Sequence, residues 1–231
     1  MAATGTKRPP VKVGYWRCAH PVSLPSPRGP TAHCRHMCAS VFLRSVDERM
    51  GSSVAKYSFD QPTFRIRLWV DERPNLPSFP HVQVGGVTSF AGGKGNPRHS
   101  SATIEYFRPR GGMYEYGLLG ADFCVDDSDV VQVRIPASAR GPSATWDASL
   151  NKFEGDIVCA FSQEYTAAIV DGIRRCDSEL PCGGLLTVTA MVHSKVGSSA
   201  TVFQSLAKGV VRLFSYDGTI GSVEEAKTLM D

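Results

Sequence analysis

The sequence predicts an α+β domain in which a mostly antiparallel sheet of four or five strands carries two helices on one face. Three observations support this class: two amphipathic helical segments, an alternating strand between them, and further alternating strands earlier in the chain. Because a helix connects strands in this order, we expect a split β-α-β connection.

The first helix is predicted within the segment 161–176, FSQEYTAAIVDGIRRC. Ser162 is the expected N-cap, since a short hydroxyl side chain can accept a hydrogen bond from the first turn. The apolar residues recur at the three-and-four spacing of one helical face. They are Tyr165, Ala168, Ile169, Gly172, Ile173 and Cys176.

A strand and a second helix follow a turn at 180–184. The strand LLTVTAMV has period two and places four residues on one face, Leu186, Val188, Ala190 and Val192. Ser198 and Ser199 are the expected caps of the second helix. The predicted buried face of that helix consists of Val202, Phe203, Leu206, Ala207, Val210 and Phe214.

Four earlier segments have strand character, at 64–70, 81–88, 101–107 and 130–135. In the first of them, FRIRLWV, the apolar residues alternate with Arg65, Arg67 and Trp69. The glycine-rich loop 91–99 lies between the second and third segments. We therefore expect this loop to cap a hairpin.

Composition is that of an ordinary globular domain, with 231 residues of which 42% are apolar and 20% are charged. The net charge of +3 is too small to indicate a polyanion partner by itself. No apolar run approaches the roughly 20 residues of a membrane-spanning helix, and no secretory signal is evident, so we expect a cytoplasmic protein without a membrane partner. The seven cysteines follow no disulfide framework and are predicted to be reduced.

The chain divides by character into three parts. Residues 1–55 are rich in Pro, Arg, Cys and His without periodicity and are predicted to form a poorly ordered arm. Residues 56–216 are the predicted domain, with an insertion near 108–150, and residues 217–231 are a predicted tail. Patterned sequence starts only after Met50, which makes that methionine an alternative candidate start.

Two stretches of the domain match the motifs of one known family. GGKGNPRH at 92–99 is similar to the family's loop of Gly-Gly-Arg-Gly-Gln, two residues, then His, with Lys94 in the Arg position and Asn96 in the Gln position. FSQEYTAAIVDGI at 161–173 resembles the family's Pro-x-Glu-Tyr helix start, with Ser162 in place of the Pro.

A third stretch, at 180–203, resembles the same family's turn, strand, His-containing loop and paired-Ser cap, here with His193, Ser198 and Ser199. The family is domain IV of translation elongation factor G, the part of that GTPase which occupies the place of a tRNA anticodon arm on the ribosome. The chain departs from it at Gly197, where the family has Asp, and in the segment 108–150.

The resemblance implies an RNA-binding function. In the family the glycine-rich loop and the His-containing loop lie at one end of the domain, and here they are expected to form a common tip. Its predicted RNA-binding residues are Lys94, Asn96, Arg98, His99, His193 and Lys195. A glycine-lined loop lets phosphate approach closely, while Lys and Arg supply charge and Asn can contact a base edge.

The chain has no GxxxxGK[ST] phosphate loop, so it lacks the motif for GTP hydrolysis. We therefore predict a ribosome- or structured-RNA-binding accessory module of translation, without GTPase activity. Two other classes stay open: a small enzyme or ligand-binding protein with a site lined by the 108–150 segment, and a protein-interaction domain with an exposed apolar sheet face or edge. Tyr106, Phe107, Arg108 and Arg110 could stack on bases, but we favour a half-buried strand end.

No catalytic residue, metal or cofactor is predicted. Cys159, Cys176 and Cys182 could pair with His193 or His99, but the apolar surroundings of Cys159 and Cys176 favour core roles. Asp126, Asp127 and Asp129 lack a calcium-loop pattern and are expected to solvate a turn. The residues of the arm that could bind zinc match no standard spacing; they are Cys18, His20, His33, Cys34, His36 and Cys38.

Overall fold

A computed structural model of the chain describes residues 55–77, 82–83, 85–138, 146, 148–152 and 157–231. Except for Ala55, the predicted arm and its cysteines and histidines lie outside the described residues. No helix in the described part of the chain is long and apolar enough to cross a membrane.

The described residues form ten strands and three α-helices. The strands are β1 (Ala55–Gln61), β2 (Phe64–Val70), β3 (Val82–Gln83), β4 (Val87–Ala91), β5 (Ser101–Arg110), β6 (Met113–Val125), β7 (Val130–Arg134), β8 (Ala137–Ser138), β9 (Ile157–Cys159) and β10 (Gly184–Ser194). The helices are α1 (Thr166–Arg175), α2 (Ala200–Ser215) and α3 (Val223–Thr228), and 3-10 turns precede and follow α1 at Gln163–Tyr165 and Asp177–Glu179.

Eight of the strands form one mixed sheet in the order β1-β2-β5-β6-β10-β7-β4, with β9 paired to β10. The pairs are antiparallel except for β7 and β10, which are parallel, hydrogen-bonded neighbours connected through α1. The predicted α+β class and mostly antiparallel sheet are confirmed. The sheet is larger than the four or five strands that the sequence predicts.

Both faces of the sheet are covered. The larger core lies on the face that carries the helices, and it contains the alternating residues of β2 together with α1, α2 and α3. A second apolar cluster lies on the other face, where Trp146, Leu150, Ile157 and Cys159 pack against strand residues that include Tyr116. The described residues between β8 and α1 thus cover part of the face of the sheet opposite the helices.

The predicted hairpin around the glycine-rich loop is wrong. β4 lies at the edge of the sheet beside β7, whereas β5 lies between β2 and β6. The hairpin partner of β5 is β6, which follows it through a turn at 111–112. The sequence pattern hides β6 because Gly117 and Gly120 interrupt it and Gly111 and Gly112 precede it, and glycines suggest turns rather than a strand.

The predicted alternation in β10 holds for only part of the strand. The pairing register with β6 shifts between Val188 and Ala190. Leu186, Val188 and Met191 therefore belong to the core on the helix side, whereas Ala190 and Val192 belong to the cluster on the other face. One additional residue in a strand reverses the faces of all residues that follow it.

The buried faces of α1 and α2 agree with the prediction, whereas the start of the first helix does not. The predicted buried face of α2 is confirmed, and the Ser199 side chain caps the helix by accepting a bond from the Val202 amide at 3.3 Å. On the first helix Ile169, Gly172 and Ile173 are buried as predicted. The predicted cap is wrong, because Ser162 precedes a 3-10 turn and makes no side-chain capping bond.

Candidate functional site

The glycine-rich loop 92–99 packs against the turn that leads into β10. The Gly93 amide donates to the Pro181 carbonyl at 2.7 Å, and the Cys182 amide donates to the Gly95 carbonyl at 2.7 Å. On its other side the Gly92 amide donates to the Asp129 carbonyl at 2.8 Å. Backbone hydrogen bonds therefore tie this loop to the body of the domain.

His99 joins three parts of the chain. Its Nδ1 lies 2.8 Å from the Asp71 carboxylate, and its Nε2 lies 3.0 Å from the Tyr216 carbonyl. Asp71 also accepts bonds from the Ser100 and Ser101 amides, and it adopts a left-handed backbone conformation with φ of 53°. Both ring nitrogens are thus engaged, which is typical of a structural histidine.

The other predicted residues of this loop differ in their surroundings. Arg98 forms an ion pair with Asp217 at 3.2 Å, and both side chains are largely exposed. The Asn96 side-chain oxygen accepts a bond from the Cys182 thiol at 3.3 Å. Lys94 is exposed in the middle of the loop.

The second predicted loop, 193–199, lies at the other end of β10. There the Tyr116 amide donates to the Gly197 carbonyl at 2.9 Å, and the Ser198 hydroxyl donates to the Tyr116 carbonyl at 2.7 Å. The His193 ring packs edge-on against Tyr165, with 5.5 Å between the ring centroids. Lys195 is exposed in this loop.

The two loops do not form a common tip. The glycine-rich loop contacts the beginning of β10, whereas His193 and Lys195 lie at its end. Ten residue steps of a strand cover about 33 Å, so the two groups of predicted residues are separated by the length of the sheet. We refer to the two regions as the glycine-loop end and the hairpin end, the latter after the β5–β6 turn at 111–112.

Carboxylates surround the glycine-rich loop. The acidic turn 126–129 lies beside it, tied by the bond from Gly92 to Asp129. His99 pairs with Asp71, Arg73 with Asp122, and Arg98 with Asp217. Within the turn, the bonds from Ser128 lower the pKa of Asp126. This environment opposes the approach of a polyanion to the glycine-loop end.

The hairpin end combines cations with aromatic rings. Arg108 and Arg110 follow Tyr106 on the same face of β5, and both are exposed. Arg110 pairs with Glu115 at 3.1 Å, and the Tyr106 hydroxyl donates to the same carboxylate at 2.8 Å. Burial and Glu115 raise the pKa of Tyr106. No ion pair of Arg108 is found among the described residues.

A cavity of about 640 Å³ opens beside these residues, between the end of β5, the first turns of α2 and the end of α3. Phe64, Val202, Leu206 and Met230 give it an apolar floor. Its polar lining comes from Arg108, Arg110, Glu115, Thr63, Thr201, Ser205, Lys227 and Asp231. Its volume lies within the range of small-molecule sites.

A separate polar network is buried on the face opposite the helices. Glu105 is fully buried and accepts a bond from the Leu150 amide at 2.6 Å. Its carboxylate lies 3.3 Å from the Ser149 and Tyr116 hydroxyls, and Arg67 lies 3.4 Å away. Burial raises the pKa of Glu105 to about 7, although the Leu150 amide and Arg67 oppose this change.

Sequence reasoning missed Glu105 as a residue of interest. One signal was available, because a glutamate that lies between Ile104 and Tyr106 in a long apolar strand is a candidate for burial. Its partners Ser149 and Leu150 lie more than 40 positions away, in an aperiodic segment, and so could not be inferred.

The described cysteines are free thiols. The predicted core roles of Cys159 and Cys176 are confirmed, since both are fully buried and burial raises the pKa of each thiol to about 11. A thiol with such a pKa is protonated at neutral pH and is a poor nucleophile. Within the residues that the structure describes, no group of His, Cys, Asp and Glu side chains is arranged to hold a metal ion.

Comparison of the chain with protein-family models, curated proteins and solved structures gave no match.

Proposed function

We propose that the chain is an accessory module that binds structured RNA, including that of the ribosome, through the hairpin end of its sheet. The observation that carries this proposal is the segregation of charge. At the hairpin end Arg108, Arg110 and Lys195 are exposed and only Arg110 has a carboxylate partner in the described ion pairs, Glu115, whereas at the glycine-loop end Arg98 pairs with Asp217 and the acidic turn 126–129 lies beside the loop. Phosphate contacts require exposed cations, and nearby carboxylates weaken them.

The relation to domain IV of elongation factor G belongs to the same proposal. It is supported by the α+β class and the mostly antiparallel sheet; the predicted split β-α-β connection is not found, because β7 and β10 are direct neighbours with no strand between them. The predicted RNA contacts of His193 and Lys195 remain part of the proposal, because the His-containing loop 193–199 lies at the hairpin end. The predicted contacts of Lys94, Asn96, Arg98 and His99 stay a competing prediction.

Two double variants with equal loss of charge test the proposal. We expect Arg108→Gln with Arg110→Gln to weaken the binding of a labelled RNA hairpin at least about tenfold, and to lower the salt slope by roughly 0.7 to 0.9 per lost phosphate contact. Lys94→Gln with Arg98→Gln should leave the affinity unchanged within about twofold, because neither residue contacts the RNA in this proposal. Fluorescence anisotropy across a salt series measures both quantities.

Co-sedimentation with ribosomes at the same salt concentrations extends the test to the predicted partner. If the Lys94 and Arg98 variant loses binding while the Arg108 and Arg110 variant keeps it, the RNA interface is the glycine-rich loop instead. If the unmodified protein binds neither the hairpin nor ribosomes at low salt, the proposed function is wrong.

A further inference from the structure

We infer that the cavity at the hairpin end is a binding site for a nucleoside monophosphate. This inference goes beyond RNA binding, because it concerns a small free ligand that enters an open cavity rather than a polyanion held on the surface. The cavity of about 640 Å³ is large enough for a ring system together with a charged group.

The apolar floor indicates the ring. Phe64, Val202, Leu206 and Met230 line the cavity, and each is nearly fully buried in the main core. The Phe64 ring is held by Tyr106, whose ring packs edge-on at 5.2 Å between centroids. A floor of fixed apolar side chains favours a flat, weakly hydrated group such as a nucleobase.

The cations at the cavity mouth indicate the phosphate. Arg108 lines the cavity and has no ion pair among the described residues; its guanidinium interacts with the Tyr106 hydroxyl, and its remaining N–H groups can bind a dianion. A guanidinium binds phosphate oxygens through two parallel hydrogen bonds. Lys227 is less available, since it pairs with Glu224 at 2.9 Å and lies over the Phe64 ring.

Glu115 and three hydroxyl side chains indicate the remaining polar groups of the ligand. Glu115 is held by both Tyr106 and Arg110, at 2.8 and 3.1 Å, so its carboxylate keeps a fixed position in the lining. A fixed carboxylate accepts bonds from ribose hydroxyls or a base amine but repels a bare phosphate. Thr63, Thr201 and Ser205 add donors and acceptors around it. The lining therefore favours a nucleotide, whose phosphate can lie at Arg108 and away from Glu115 and Asp231, over inorganic phosphate.

Isothermal titration calorimetry with the full chain tests this inference. The ligands are AMP, GMP, CMP and UMP, with adenosine and inorganic phosphate as the two halves of the proposed ligand. We expect at least one nucleotide to bind with saturation, and adenosine and phosphate each to bind at least about tenfold more weakly, because each lacks one set of contacts. Failure of all four nucleotides to saturate the protein at millimolar concentration would overturn the inference.

Variants locate the site. Both Ser205, which is half-buried, and Thr201, which is exposed, line the cavity. Ser205→Trp and Thr201→Trp therefore fill the cavity from two positions. Either variant is informative if its circular dichroism spectrum shows that it is folded. Both should abolish nucleotide binding, and Arg108→Gln should weaken it at least about tenfold. Lys94→Gln serves as the control and should change nothing. Nucleotide binding that survives a folded Trp variant and Arg108→Gln would place the ligand elsewhere.

RNA binding by the Trp variants separates the two proposals. These variants keep every surface cation, so they should bind the RNA hairpin normally while they lose the nucleotide. A protein that binds nucleotides but no RNA would support the cavity site and contradict the proposed function.

Discussion

Glu105 shows how one side chain can make the stability of this domain depend on pH. Its carboxyl is removed from water between the sheet and the segment that contains Ser149 and Leu150. Burial raises its pKa from 4.5 to about 7, so the folded protein holds the proton more tightly than the unfolded chain does. The contribution of Glu105 to stability is therefore full below about pH 4.5 and is lost as the pH rises to about 7.

We predict that Glu105→Gln removes this dependence. The free energy of unfolding of the unmodified protein, taken relative to the variant, should fall by about 3 kcal/mol between pH 4.5 and pH 8, because Gln cannot ionise. Urea unfolding at a series of pH values measures this difference, and other titrating groups cancel in the comparison. Parallel stability curves for the two proteins would show that Glu105 has the same pKa in the folded and unfolded states.

His99 illustrates the limit of residue-level prediction. The glycine-rich loop and its spacing indicate a surface role for this histidine, but Asp71 and the Tyr216 carbonyl bind both of its ring nitrogens. The partners lie 28 and 117 positions away in the sequence. No local pattern records such contacts, because they depend on how the strands are ordered in the sheet.

At the level of elements, α1 and α2 approach each other closely at Gly172. A Cβ atom at this position would lie 2.4 Å from the Gln204 carbonyl oxygen and 2.8 Å from the Cβ of Ala207. An exposed glycine inside a helix is usually improved by alanine, by up to about 1 kcal/mol. Here the backbone of α2 occupies the space that alanine would need.

Gly172→Ala should therefore destabilise the domain by roughly 1 to 3 kcal/mol, as other small-to-large changes in packed cores do. Gly95→Ala is the control, since nothing lies within 4 Å of a Cβ atom there. Denaturant midpoints of the two variants measure the effect. A Gly172→Ala protein as stable as the control would mean that α1 and α2 can separate at little cost.

Elements with a regular apolar pattern could be predicted from the sequence, and those shaped by contacts with other elements could not. β2 and α2 each present one face to the core, so their periodicity is visible. β6 escapes prediction because Gly117 lies under α2, where a Cβ atom would come within 2.8 Å of Leu206. The register shift in β10 is likewise absent from its alternating sequence.

At the scale of the whole molecule, the strand order separates residues that the candidate site was expected to unite. Because β10 spans the sheet, the loops before and after it lie at opposite ends. The same order brings the acidic turn 126–129 and Asp217 beside the glycine-rich loop. The location of charge, and with it the choice of interface, follows from topology rather than from motif spacing.

The last residues of the chain belong to the folded unit. The sequence predicts a tail at 217–231, but Ile220, Val223, Ala226, Leu229 and Met230 are buried in the main core. Arg212 of α2 donates to the Thr228 and Leu229 carbonyls at 3.1 and 2.9 Å. These residues also close one side of the cavity at the hairpin end, where Met230 and Lys227 contribute to the lining.

If this segment unfolds together with the sheet, truncation of one of its buried side chains must lower the stability of the whole domain. We predict that Leu229→Ala costs roughly 2 to 3 kcal/mol, the loss expected for a buried leucine whose site can partly relax. Glu224→Ala, in the helix α3 that Leu229 directly follows, removes only an exposed ion pair and should change stability by less than about 0.5 kcal/mol. Urea unfolding followed by tryptophan fluorescence in a Trp16→Phe background reports on the sheet, since Trp69 lies in β2 and Trp146 belongs to the same apolar cluster. An unchanged midpoint for Leu229→Ala would mean that α3 detaches before the sheet unfolds, and that the segment behaves as the predicted tail.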